Sequence, residues 1–172
     1  MMNKSGMSCV VRDVASVADS GPLVCLARID QLDLLPGLFA EVLIPPEVWQ
    51  EVTVRGRHYP GAYKVSQAGW LKIRAPVPQL VKPLSIFVGK GEAQAIALAQ
   101  TTAGCTVLLD DLRARKVAQR LDVPQIGTLG LLLRAKRRGL LDSIRLRLEA
   151  LVENGIYIRQ ELIDAVLKEA GE

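Results

Sequence analysis

The sequence predicts an α/β fold, a parallel sheet covered by helices on both faces. Three observations predict it. Short apolar runs alternate repeatedly with stretches of helical spacing, the pattern of parallel strands joined by crossover helices. Hydrophobic residues make up 49% of the 172 but aromatics only 4%, so the core is built from Leu, Val, Ile and Ala, which suits helices packed on strands. The alternation then stops near residue 141, and two helical stripes follow without further strands.

Each element has a local reason. Residues 14–18 are a short apolar run ending at Asp19, read as a buried strand. Ser20 and Pro22 suit a helix start, and Leu23, Leu26, Ala27 and Ile29 give it helical spacing. "EVLIPPEVWQEV" repeats the unit: a strand at Val42 to Ile44, then a helix opened by Pro45-Pro46 with Val48, Trp49 and Val52 on its apolar side. Residues 55–69 are polar and Gly-rich and read as a loop with room for a helical turn. "WLKIRAPV" reads as a further strand, ended by Pro76 and Pro78. "VGKGEAQAIALAQTTAG" is an alanine-rich helix, apolar nearly all round and therefore deeply packed, with Gly104 as its stop. "CTVLLDDLRARKVAQRL" is again strand, acid, helix. "VPQIGTLGLLLRAKRRG" gives one more short strand and a helix starting near Thr128. Beyond it, Ile144, Leu148, Leu151 and Val152 form one stripe, and Leu162, Ile163, Val166, Leu167 and Ala170 another. The organisation expected is a tail over 1–13, an α/β domain over 14–140, and a helical extension over 141–172 packed on that same domain.

Composition narrows the function classes. The net charge of +4 is compatible with nucleic acid without demanding it. Three scattered cysteines (Cys9, Cys25 and Cys105) offer neither a disulfide framework nor metal-ligand spacing, so a reducing cytoplasm is the expected location. "MMNKSGMSC" lacks the apolar core of a signal peptide, and no apolar run approaches the ~20 residues that span a bilayer, so no membrane association is expected. "GKG" at 89–91 lacks the spacing of a phosphate loop and the third glycine of the dinucleotide fingerprint.

The acids carry the chemistry. In an open parallel sheet, functional groups gather beyond the carboxyl ends of the strands. Asp19 follows the first strand, and Asp110 and Asp111 follow "TVLL". Glu51 lies on the helix after the second strand, and Glu92 in the first turn of the alanine-rich helix. Such carboxylates, brought together, repel one another unless one takes a proton or a cation offsets the charge. An oxygen-only cluster without His or Cys suits Mg²⁺ or Mn²⁺. A cation there polarises a phosphate oxygen and acidifies a water, a route to phosphodiester hydrolysis, with Ser20 placed to orient a carboxylate or that water.

Five blocks in order, "VADSGPLVCLARI", "VLIPPEVWQEV", "GKGEAQAIALA", "LLDDLRARKVAQRLDV" and "IGTLGLLLRAKRRGLL", resemble the PIN-domain nucleases. They most resemble the bacterial and archaeal branch of unknown function related to toxin-type PIN proteins. The resemblance spans roughly residues 14–170. It implies a three-layer α/β/α sandwich and Mg²⁺- or Mn²⁺-dependent cleavage of RNA. It also implies homodimers and, in the toxin branch, an antitoxin partner. The family's acids carry over to Asp19, Glu51, Glu92 and Asp111, with Asp110 as rival to Asp111 because a one-residue shift of register exchanges them. Two departures stand out: Glu replaces the usual Asp at position 92, and the C-terminal helices are additional to the shortest toxins.

Each residue also has a plainer reading. Asp19 and Asp111 both precede helices, where an acid caps free N–H groups for about 1 kcal/mol. Glu92 in a first turn is favourable to the helix dipole, and Glu51 taken alone is an ordinary solvated residue. Arg113, Arg115, Lys116 and Arg120 form either a phosphate-facing stripe or a solvated helix face. Lys136, Arg137 and Arg138 read as cations stabilising a helix C-terminus. The lone His58 reads as a loop residue. The rival to a ribonuclease is a catalytically silent module that binds RNA or protein on the same fold.

Overall fold

Strand β1 (Asp13–Ala18) lies at the centre of a five-stranded, all-parallel sheet in a computed structural model that describes residues 12–172. The sheet order is β3-β2-β1-β4-β5, with β2 at Phe39–Ile44, β3 at Leu71–Ile73, β4 at Cys105–Leu108 and β5 at Gln125–Ile126. The chain adds strands on one side of β1 and then crosses over to the other. Register follows burial: Val17 pairs with Leu43 on one side and Val107 on the other.

Side chains alternate between two packed layers, as the pleat requires. Ala18, Val42, Ile44 and Leu108 face one core, together with α1 (Ser20–Arg28), α2 (Leu34–Leu38), α8 (Thr128–Arg137), α9 (Arg145–Glu153) and α10 (Gln160–Ala170). Ala15, Val17, Leu43, Val107 and Leu109 face the other, with α5 (Pro78–Leu84), α6 (Lys90–Gln100) and α7 (Leu112–Arg120). The chain is thus a three-layer α/β/α sandwich. Helix α6 is buried from Ala95 through Ala99, as its alanine-rich composition predicts.

The loop expected over 55–69 does carry its helical turn. Helix α3 (Pro46–Trp49) runs on into a π-helical turn over Gln50–Arg55, and α4 (Ala62–Ser66) follows. Helices α2 and α5 were not legible: "LLPGL" and "PQLVKPL" each carry proline in a very short segment that tertiary packing, not propensity, makes helical.

In the C-terminal extension, Ile144, Leu148, Leu151, Val166 and Leu167 are buried against the first core, whereas Val152 (48% exposed) and Leu162 (43%) leave the stripes assigned to them. Helix α10 packs on α8. Lys136, Arg137 and Arg138 do more than serve a helix end, because each has a specific distant partner. Lys136 pairs with Glu172 at 2.5 Å, Arg137 with Glu169, and Arg138 with Asp13 at 2.7 Å. Most of the expected tail, including Cys9, lies outside the described residues; β1 already begins at Asp13. Among the described residues, no helix is long and apolar enough to cross a membrane.

Candidate active site

The strand order reverses at β1, between β2 and β4, and the crevice beyond the carboxyl ends of β1 and β4 is where such a sheet presents its functional groups. Asp19 sits there. Its backbone N–H donates to Leu108 O at 3.2 Å, which extends the β1–β4 ladder by one step and fixes the residue at the crevice floor. The side chain is only 6% exposed, yet Oδ1 has no hydrogen-bond partner. Asp19 occupies the position before α1 without closing a capping bond of good geometry, although the N–H groups at the helix start still act on its carboxyl. Burial pushes its carboxyl up to about 7. The backbone N–H groups of Ser20 and Gly21 pull it down, while the negative charges of Glu92 and Glu51 push it further up.

Glu51 reaches the same place from the π-helical turn. That wider turn is a feature often found where a helix is bent to aim a functional side chain. Burial raises its pKa, as do Glu47 and Glu92, against the lowering effects of Ser20 and Arg55. Gly91 makes the approach possible. A methyl group there would lie 2.7 Å from Glu51 Oε2 and 2.9 Å from Oε1, so the glycine lets this carboxylate rest against the start of α6 where a larger residue would push it aside. Gln94, a turn further along α6, accepts a 3.0 Å hydrogen bond from the Glu47 N–H and ties the two helices together.

The remaining acids are occupied to different degrees. Glu92 Oε2 accepts from the Gly89 N–H at 2.9 Å, serving its own helix start. Asp111 caps α7: Oδ1 accepts from the Ala114 N–H at 2.9 Å, and its other oxygen takes no hydrogen bond among the described residues. Asp110 uses both oxygens on Thr128, accepting from its N–H at 2.7 Å and its hydroxyl at 2.6 Å. It therefore closes the start of α8 from the tip of β4. The two neighbouring aspartates thus point to different helices, a distinction no spacing argument could draw.

The structure brings Asp19, Glu51 and Glu92 into electrostatic contact and sets Asp111 with Glu92 in one surface cavity. Among the described residues, no three His, Cys, Asp or Glu side chains are arranged to hold a metal ion as they stand. Two features nevertheless fit a hard divalent cation: the donors are all carboxylates, and one buried oxygen of Asp19 is orphaned. Of the basic residues, Arg113 lines the cavity with Glu92 and Asp111. Arg115 is tied down by Gln125 at 2.7 Å. Ser20 borders a second cavity with Glu51. Sequence reasoning missed Gly91 and Gln94; for Gly91, the only signal was a glycine one residue before an acid at a helix start.

Fold and site together define a class, a parallel α/β domain with an all-carboxylate crevice at its switch point. The particular family follows from comparison: a family model described as a PIN domain, carried as a domain of unknown function, matches residues 15–172. The chain belongs to the PIN-domain family, and the match includes the C-terminal helices. PIN domains are generally nucleases. No curated protein matches the chain.

Proposed function

We propose that the chain is a metal-dependent ribonuclease whose site is built by Asp19, Glu51, Glu92 and Asp111. The observation that carries this reading is Asp19, a buried carboxylate with one bare oxygen, facing two further acids at the switch point. Among the described residues Arg55 meets Glu51 at 3.8 Å, but burying Asp19 beside two further acids remains unfavourable to the fold, and an acquired cation removes the conflict. Mg²⁺ or Mn²⁺ would be held by these four acids; once bound, it would polarise a phosphate oxygen and offset charge on the scissile group. Asp111 suits that role better than Asp110, because one of its oxygens is unengaged while both of Asp110's are spent on Thr128. The Ser20 hydroxyl, which lowers the Glu51 pKa, orients that carboxylate. Arg113, with Lys116 on the same helix, attracts the phosphate backbone. Among the described residues, no nucleophile–base pair supports a covalent intermediate: the one histidine, His58, accepts a 3.3 Å hydrogen bond from Arg57.

A specific observation favours a second reading. Glu92, Asp111 and Asp110 each serve a helix start, which is what a silent RNA-binding module would retain. Incubating purified protein with end-labelled single-stranded RNA separates the two. The nuclease cuts with Mn²⁺, stops with EDTA, and is silenced by Asp19→Asn in a protein that still folds. Cutting that persists through both EDTA and Asp19→Asn would refute the nuclease site. Binding without Mn²⁺-dependent turnover would establish the silent module.

A further inference from the structure

The acids border two separate cavities, and each cavity carries an exposed aromatic residue. Ser20 and Glu51 open into one of about 250 Å³ whose walls include Val24, Val52, Tyr59 and Pro60. Glu92, Asp111 and Arg113 border another of about 310 Å³ that includes Ile86 and Phe87. Tyr59 is 66% exposed and Phe87 59%. Tyr63 and Tyr157 are more exposed still; what sets Tyr59 and Phe87 apart is that each shares its cavity with one of the site's acids.

Both platforms are held in position. The Tyr59 N–H donates to Gly56 O at 2.9 Å, and a methyl group on Gly56 would collide with Glu51 O at 2.5 Å, so the Tyr59 turn closes tightly on the π-helical segment that delivers Glu51. At its other end, Gly61 adopts φ +92° and seats the loop against Ala27 of α1, where a methyl group would come within 2.8 Å. Phe87 stands on the short turn between α5 and α6. Its N–H donates to Leu84 O at 2.9 Å, and Leu84 and Val88 on either side are buried.

From this arrangement we propose that single-stranded RNA crosses the acidic crevice with one base stacked on Tyr59 and another on Phe87, which places the backbone between them over the carboxylates. The inference rests on the nuclease reading for its substrate. The chemistry that recognises the ligand is the π-face of an unpaired base, which every base has and which a duplex keeps hidden. The site is accordingly tolerant of sequence and intolerant of pairing.

The test uses the full chain and a fluorescent single-stranded RNA of mixed sequence, read by anisotropy without metal and by cleavage with Mn²⁺. Tyr59→Ala and Phe87→Ala are each expected to weaken binding about tenfold, the loss of one stacked base. Tyr59→Phe and Phe87→Tyr keep the platform and restore binding, and annealing the RNA to its complement abolishes it. Cleavage follows through KM, while the shift of thermal midpoint caused by Mn²⁺ alone stays as in the parent. Binding that depends on both aromatics in a chain that cuts nothing would uphold this path and remove the nuclease reading. Mn²⁺-dependent cleavage that ignores both alanine variants would uphold the nuclease and overturn the path. Dependence on only one aromatic overturns the two-sided path. So does a dimer in sedimentation that the double alanine variant converts to monomers without loss of RNA binding, because the aromatics would then belong to a protein interface.

Discussion

Strand β1 carries an aspartate at each end, and the two have opposite surroundings. Asp13, at the amino end, accepts from Arg134 and Arg138 at 2.7 Å each, so its charge is met by two guanidinium groups. Asp19, just past the carboxyl end, meets no cation among the described residues; the charged groups around it are Glu51 and Glu92. One end of the strand is built to be stable as it stands, and the other is left short of positive charge. The C-terminal helices repeat the first pattern. Glu172 gathers Lys136, the Ser143 hydroxyl and the N–H groups of Ile144 and Arg145, which hold its carboxyl down at about 2. The contrast shows that this fold readily pairs its acids with cations, so the bare Asp19 at the switch point is a feature of its own and not a general looseness of design.

The comparison breaks most sharply at Asp19. If that acid serves chemistry, Asp19→Asn should lower Mn²⁺-dependent RNA cleavage by about 10²–10³-fold, the loss typical of a group that stabilises charge in the transition state. Its effect on stability should go the other way. A carboxyl lifted from 3.8 to about 7 in the folded state destabilises that state as pH rises through this interval. In the absence of metal, Asp19→Asn should therefore stabilise the protein by up to about 4 kcal/mol above pH 7 and by almost nothing at pH 3.5, measured by urea unfolding at the two pH values. A variant less stable than the parent at pH 8 would show that the acid is a structural partner after all.

Asp13→Asn should behave in the reverse sense. It leaves two half-buried guanidinium groups without their anion and should cost about 1–3 kcal/mol at neutral pH, a partly screened version of breaking a buried ion pair. RNA cleavage per folded molecule should be unchanged. The smallest effect is expected of Glu172→Gln: a slightly lower thermal midpoint, with the difference from the parent present above pH 4.5 and vanishing as pH falls toward 2, where the parent's own carboxylate is lost.

How much of this was legible depended on how local the cause was. Strand β1, helix α6 and helix α8 announce themselves through apolar runs, alanine content and start signals within ten or so residues. That Asp19, Glu51 and Glu92 come close to one another was legible because a parallel sheet puts the residues after its strands on one edge, and because five ordered blocks resembled a known family. What stayed hidden was set by contacts across the chain. Asp110 is committed to Thr128, 18 residues away. Lys136 is committed to Glu172, 36 residues away. Val152 and Leu162 match a helical period but fall where no neighbouring element covers them. Periodicity tells which residues share a side of a helix, not what stands opposite.

Gly91 shows how exposed such a site is to a change that alters no charge at all. Adding a single carbon there would press on the Glu51 carboxylate from 2.7 Å and force it aside, while every acid remained in the sequence. The residue beside an acid, and not the acids alone, thus decides where one of these carboxylates comes to rest.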